Sequence, residues 1–223
     1  MENNLFDGVE AVIFDLDGVI INSEPIHMDI INDMIRPYGA PLDMQDYHDN
    51  FVGRCEKHCC GVLKRRYGIT LTEEEMMAQY KNSITRYFDE TDDPPVLPGV
   101  REFVKKISAK KIKMGVASSS SNKNIVLSLK SAGIDQYFHA VSSAEDAERG
   151  KPYPDVYLNI CEALKIKAEK SIAIEDSTVG IQAAKAAGFY AVGFRNPDSG
   201  NQDLSSADRI VDSFEELMDD IGA

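Results

Sequence analysis

From residue 97 to the C-terminus, short apolar runs alternate with amphipathic stretches, and this alternation restricts the fold more than any other feature of the chain. Residues 112–117, 138–142, 171–174, 190–194 and 210–211 have the length and composition of strands. Residues 100–109, 125–132, 154–164, 179–187 and 214–221 repeat apolar positions at helical spacing. Apolar strands separated by helices predict a parallel sheet covered on both faces. An earlier run, residues 9–15, supplies a further strand. The expected fold class is α/β, a doubly wound parallel sheet with a Rossmann-like core.

The stretch between residues 23 and 90 breaks this rhythm. Ser23 is placed to cap a helix with Glu24 and Pro25 in its first turn. Ile26, Ile30, Met34 and Ile35 then recur at helical spacing, up to Pro37 or Gly39. Residues 43–51, 55–67 and 72–88 also read as helices. Asp92-Asp93-Pro94-Pro95 ends the block, followed by Leu97-Pro98-Gly99. The pattern predicts an all-helical cap, residues 20–93, inserted into a core formed by residues 1–19 and 94–223.

Composition narrows the function. The 223 residues carry a net charge of −13, which argues against nucleic-acid or anionic-membrane partners because both need a basic face. The N-terminus has no basic segment leading into an apolar stretch, so a cytoplasmic protein with reduced thiols is expected. Cys55, His58 and Cys59 share a helical face, but no second ligand pair follows at zinc-site spacing, and buried helix positions are the simpler account. A monomer is the expectation for a chain of this size.

In parallel α/β sheets ligands bind beyond the carboxyl ends of the strands. Residues 9–14 deliver Asp15 and Asp17 there, in Asp15-Leu16-Asp17-Gly18. An EF-hand loop is excluded because Val19, Ile20 and Ile21 occupy the following positions. The strand at 112–117 leads to Ser118, Ser119, Ser120 and Ser121. The strand at 171–174 leads to Glu175-Asp176-Ser177, and Gly150-Lys151-Pro152 follows residues 138–142. Each piece alone has an ordinary reading as a turn, a cap or a solvated loop. Together they bring acids, hydroxyls and one Lys to a single edge, which fits phosphoryl transfer. Carboxylates meet a phosphate dianion only after neutralisation, and Mg²⁺ prefers hard oxygen ligands. One carboxylate can be a nucleophile, and another two residues on can exchange protons with the leaving oxygen and the attacking water.

On Phe14-Asp15-Leu16-Asp17-Gly18-Val19, Val116-Ala117-Ser118, Gly150-Lys151-Pro152 and Ile174-Glu175-Asp176-Ser177, in that order, the chain resembles the haloacid-dehalogenase-like hydrolases with a helical cap. The resemblance implies Asp15 as nucleophile and Asp17 as general acid/base. Ser118, with Ser119, would bind phosphate, and Lys151 would hold phosphate and nucleophile. A Mg²⁺ site would use Asp15, Asp17 through its backbone carbonyl, Asp176, and Glu175 directly or through water. An acid at position 17 sets the chain apart from the dehalogenases, and no cap Lys matches the phosphonate-cleaving branch.

Within the family the pattern is most similar to sugar-phosphate phosphatases and β-phosphoglucomutases. Ser23-Glu24-Pro25-Ile26-His27 resembles their first cap segment, with Asn22 where an Asp is usual. His27, Arg54 in Gly53-Arg54, and Lys81 in Lys81-Asn82 are the implied substrate-side residues, and Lys57 and Arg86 are further basic candidates on the cap helices. Glu56 stands where mutases carry an Arg, which favours hydrolysis. The expected activity is Mg²⁺-dependent hydrolysis of a small phosphorylated metabolite, a sugar phosphate first among them, through an aspartyl-phosphate. A phosphosugar mutase and a non-catalytic phospho-ligand binding protein are the alternatives.

Overall fold

The computed structural model describes residues 5–52 and 56–221, residues 56 and 57 by their backbone alone. Six parallel strands, β1 (Ala11–Phe14), β2 (Lys113–Ser118), β3 (Ala140–Ser143), β4 (Ser171–Glu175), β5 (Tyr190–Phe194) and β6 (Arg209–Val211), form one sheet in the order β3-β2-β1-β4-β5-β6. The chain builds outward from β1 on one side, then returns to build on the other. The reversal falls at β1, where parallel α/β sheets open a crevice.

Period-two alternation sorts the strand residues between two apolar layers. Val12 and Phe14 of β1, Met114 and Val116 of β2, and Ile172 and Ile174 of β4 face the core shared with α5 (Val100–Ala109), α6 (Asn122–Ser131) and α9 (Phe214–Ile221). Ala11 and Ile13, Ala117, and Ala173 face α7 (Asp155–Leu164) and α8 (Thr178–Ala187). The second layer is built on small residues, so its helices sit close. At Gly115 a Cβ would lie 3.1 Å from side-chain carbons of Ile160 and Leu164.

Four helices follow β1: α1 (Glu24–Ile35), α2 (Met44–Asn50), α3 (Glu56–Tyr67) and α4 (Glu73–Glu90). They share a separate apolar cluster that includes Ile35, Tyr47, Leu63 and Met76. A Thr72–Glu75 capping box starts α4. The two chain crossings into and out of this layer lie side by side. Ile21 bridges Val96, Asn22 N donates to Pro95 O at 2.8 Å, and Leu97 N donates to Ile20 O at 3.0 Å. Thr85 Oγ1 donates to Asn124 Oδ1 at 2.7 Å, joining α4 to α6. No helix among the described residues is long and apolar enough to cross a membrane.

Three local expectations are corrected. Ser23 occupies the position before α1, but its hydroxyl does not cap the helix; its φ and ψ of −84° and −16° keep it helical and its Oγ is buried. The third strand begins at Ala140 rather than residue 138, because Asp135–Tyr137 closes a 3₁₀ turn first. Helix α6 begins at Asn122, since Ser121 accepts a hydrogen bond from Asn124 N as its cap.

Overfilling the close β2–α7 contact tests this packing. Gly115→Val should destabilise the protein by about 1–3 kcal/mol, read as a lower urea midpoint with the transition slope unchanged. An unchanged midpoint would show that the layer has room to spare.

Candidate active site

Alternation along the strands also places the acids. Asp15 and Glu175 follow Phe14 and Ile174, so both side chains fall on the α7–α8 side of the sheet. Asp15 N donates to Ile174 O at 2.9 Å, which carries the β1–β4 pairing one residue further. Glu175 is fully buried, at 0 % exposure. It lies under the first turn of α8, and only a glycine at position 180 leaves it space, because a Cβ there would sit 1.9 Å from Glu175 Oε2. Glu175 Oε1 accepts from Lys151 Nζ and from Tyr157 OH, each at 2.6 Å. Ser177 Oγ donates to Glu175 Oε2 at 3.2 Å.

Lys151 lies between two acids. Its side chain is 4 % exposed, and its Nζ is 3.1 Å from Asp15 Oδ1, 2.6 Å from Glu175 Oε1 and 3.0 Å from Ala117 O. Burial pulls the ammonium pKa down, but Asp15 and Glu175 outweigh it and the net shift is upward, so Lys151 stays charged. Asp15 Oδ1 also accepts from Leu16 N at 2.8 Å. Asp176 accepts from Ser199 Oγ, and Gly18, in the left-handed region at φ +76°, makes room for it. A Cβ at Gly18 would lie 1.8 Å from Asp176 Oδ2.

Asp15, Glu175 and Asp176 each place one carboxylate oxygen within 4.8 Å of the others. Three acids against one Lys leave the cluster short of positive charge. Burial first, and Glu175 second, push the Asp15 carboxyl well above its usual range; the same causes push Asp176 up to about 7. This donor set, all oxygen, anionic and buried, suits a hard divalent cation.

Asp17 takes a different position. Its Oδ2 accepts from Ser120 Oγ at 2.7 Å, and its Oδ1 lies 3.9 Å from His27 Nε2. His27 Nδ1 is in turn 2.8 Å from Tyr80 OH. The Asp17 carboxylate therefore stands outside the three-acid cluster, which leaves its backbone carbonyl as the expected ligand atom. Ser118 is buried at the end of β2, its Oγ accepting from Ser120 N at 3.0 Å.

A cavity of about 360 Å³ opens above these groups. Asp15, Asp17, Ser118, Ser119 and Asp176 line its floor, and His27 lines its side. Lys81 is exposed on α4 and Arg86 lines a different groove, beside Asp29 and Glu90, so the structure does not bring either to the cavity. Arg54 and Cys55 lie outside the described residues, as does the Lys57 side chain. Ser199 comes from residues 196–207, a loop whose sequence carries no chemical signal. Tyr157 and Tyr80 were equally hidden, since each looks like an ordinary helix aromatic.

Such a site, acids and one Lys at the reversal point of a parallel α/β sheet, defines a hydrolase class, and the relatives specify it. Residues 12–194 match the family described as haloacid dehalogenase-like hydrolase, and the chain belongs to that family. It is 31% identical to the phosphorylated carbohydrates phosphatase of Thermotoga maritima, over 82% of this chain and 84% of that one. It is 29% identical to the β-phosphoglucomutase of Bacillus subtilis, over 94% and 92% of the two chains. The solved structure of CbbY from Rhodobacter sphaeroides in complex with phosphate has the same fold, with a TM-score of 0.79, 23% identity, and coverage of 94% and 96%.

The raised carboxyls fix the sign of a pH effect. A carboxyl whose folded pKa exceeds its unfolded value near 4 binds more protons when folded, so stability is lost as pH rises from there toward the folded value. For Asp176 that window ends at about 7. Held metal-free with a chelator, the protein should melt several degrees lower at pH 8 than at pH 5, and Asp176→Asn should flatten the profile. Equal slopes in the two proteins would contradict the arrangement.

Proposed function

We propose that this hydrolase is a Mg²⁺-dependent phosphatase of a small phosphorylated metabolite, with phosphorylated carbohydrates the class named for its relatives. The observation that carries the reading is the buried Asp15–Glu175–Asp176–Lys151 cluster, of which Asp15 and Asp176 reach the floor of the cavity while Glu175 and Lys151 lie beneath it. Asp15, Asp176 and Glu175, with the backbone carbonyl of Asp17, would hold Mg²⁺. The ion, when bound, supplies positive charge to the phosphoryl oxygens.

Lys151 and Leu16 N both engage Asp15 Oδ1, so Oδ2 is the oxygen offered to phosphorus. Its attack forms the aspartyl-phosphate and breaks the ester bond. Asp17, held by Ser120, gives its proton to the leaving oxygen. Water then attacks the phosphorus, Asp17 takes a proton from that water, and the Asp15–phosphate bond breaks. Ser118 already accepts a backbone N–H, which frees its own O–H to donate to a phosphate oxygen, with Ser119 beside it. His27, braced by Tyr80, orients Asp17.

Residues 20–93 would act as the cap, hinged at the paired crossings near Ile21 and Val96, and would exclude bulk water on closing. Hydrolysis is favoured over mutase chemistry because no Lys or Arg among the described residues lines the cavity to receive a second phosphate.

Asp15→Asn should lower Mg²⁺-dependent phosphate release from a panel of phosphate esters by on the order of 10³ or more, with the melting temperature retained. Turnover within a few-fold of the parent would overturn the assignment.

A further inference from the structure

The cavity changes character away from its polar floor. The wall formed by α1–α4 and the segment after α2 presents Ile31, Met34, Phe51, Leu63, Met76 and Met77. Ile31, Phe51, Leu63 and Met76 belong to the apolar cluster of those helices, so the wall continues into a packed core. Two polar pairs on this side face one another, which leaves the second carboxylate oxygen of Glu24 as the polar exception. Tyr47 OH donates to Glu24 Oε2 at 2.6 Å, and Tyr80 OH pairs with His27 Nδ1 at 2.8 Å. Among the described residues no cationic Lys or Arg side chain lines the space.

A hydroxyl moved from water against the apolar side chains Ile31, Met34, Phe51, Leu63, Met76 and Met77 loses its hydrogen bonds and gains none from them. A methylene in the same place gains by leaving water. A polyol hydroxylated on every carbon is therefore poorly matched to this wall, whereas the phosphate end of any ester is matched to the floor.

We infer that the cavity selects esters whose alcohol carries an alkyl or aryl surface on the side away from the phosphate, a deoxygenated or substituted alcohol rather than a fully hydroxylated one. This rests on the phosphatase reading and names the substrate class within it. The apolar wall is the specificity surface, and Met34 and Met77, both only partly buried, are the positions where it can be altered with the least effect on the helical core.

The test uses the full chain with Mg²⁺ and two series of esters. For n-alkyl phosphates from ethyl to hexyl, kcat/KM should rise about fourfold per added methylene until the cavity is filled. Glucose 6-phosphate and glycerol 3-phosphate should fall below the alkyl esters with the same number of carbons. Met34→Gln and Met77→Gln should reduce the dependence on chain length. The matching alkylphosphonates, which carry no ester bond to cleave, should bind more tightly and with a more negative heat-capacity change as the chain lengthens. Glucose 6-phosphate turned over as well as hexyl phosphate, or phosphonate affinity independent of chain length, would overturn the inference and leave the phosphatase reading standing. Failure of every ester to release phosphate would remove the phosphatase reading instead, and phosphonate binding would still decide whether the wall selects apolar groups.

Discussion

Negative charge buried at the end of a parallel sheet is the constraint to which the rest of the molecule responds. Asp15, Glu175 and Asp176 sit within a few ångströms of one another with little access to water. Like charges in such surroundings repel and lack solvation, and each carboxyl is stable only to the extent that something offsets it. Lys151 offsets part, inserted between Asp15 and Glu175. Hydroxyls supply more: Tyr157 and Ser177 to Glu175, Ser199 to Asp176. The raised Asp15 and Asp176 carboxyls mark what is left over, and a divalent cation is the simplest way to meet it.

Several features remote in sequence serve this one requirement. Strand alternation turns Asp15 and Glu175 to the same side as α7 and α8. Gly180 and Gly18 are open because carboxylates occupy the space their side chains would take. The return of the chain to the far side of β1 brings β4 alongside, and with it Glu175 and Asp176. Asp17, two residues after Asp15, is held apart by Ser120 and faces His27, so two acids of one motif occupy distinct surroundings. That separation is what distinct nucleophile and proton-transfer roles need.

Much of this was legible in the sequence because it followed from period and position. Strand runs that end on Asp15, Ser118 and Glu175 announce a common edge, and the helical block between residues 23 and 90 stands out by its lack of strands. What was hidden depends on contacts between distant segments. Tyr157 reads as a core aromatic until its hydroxyl meets Glu175. Ser199 lies in a polar loop and gains meaning only when Asp176 is beside it. Lys81 and Arg86 look like anion-binding candidates by charge alone, yet neither lines the cavity and Arg86 lines a different groove. Ser23 has the residue type of a helix cap and does not perform that role, because its backbone is already helical.

Such a cluster, Asp15, Glu175 and Asp176, would take a divalent cation and would hold extra protons without one. Titrating Mg²⁺ into metal-free protein at pH 6, in buffers of differing ionisation enthalpy, measures binding and proton release together. Saturable binding at one site with net release of protons, both lost in Asp176→Asn, is the expected result. Absence of saturable binding, or binding with no proton released, would contradict it.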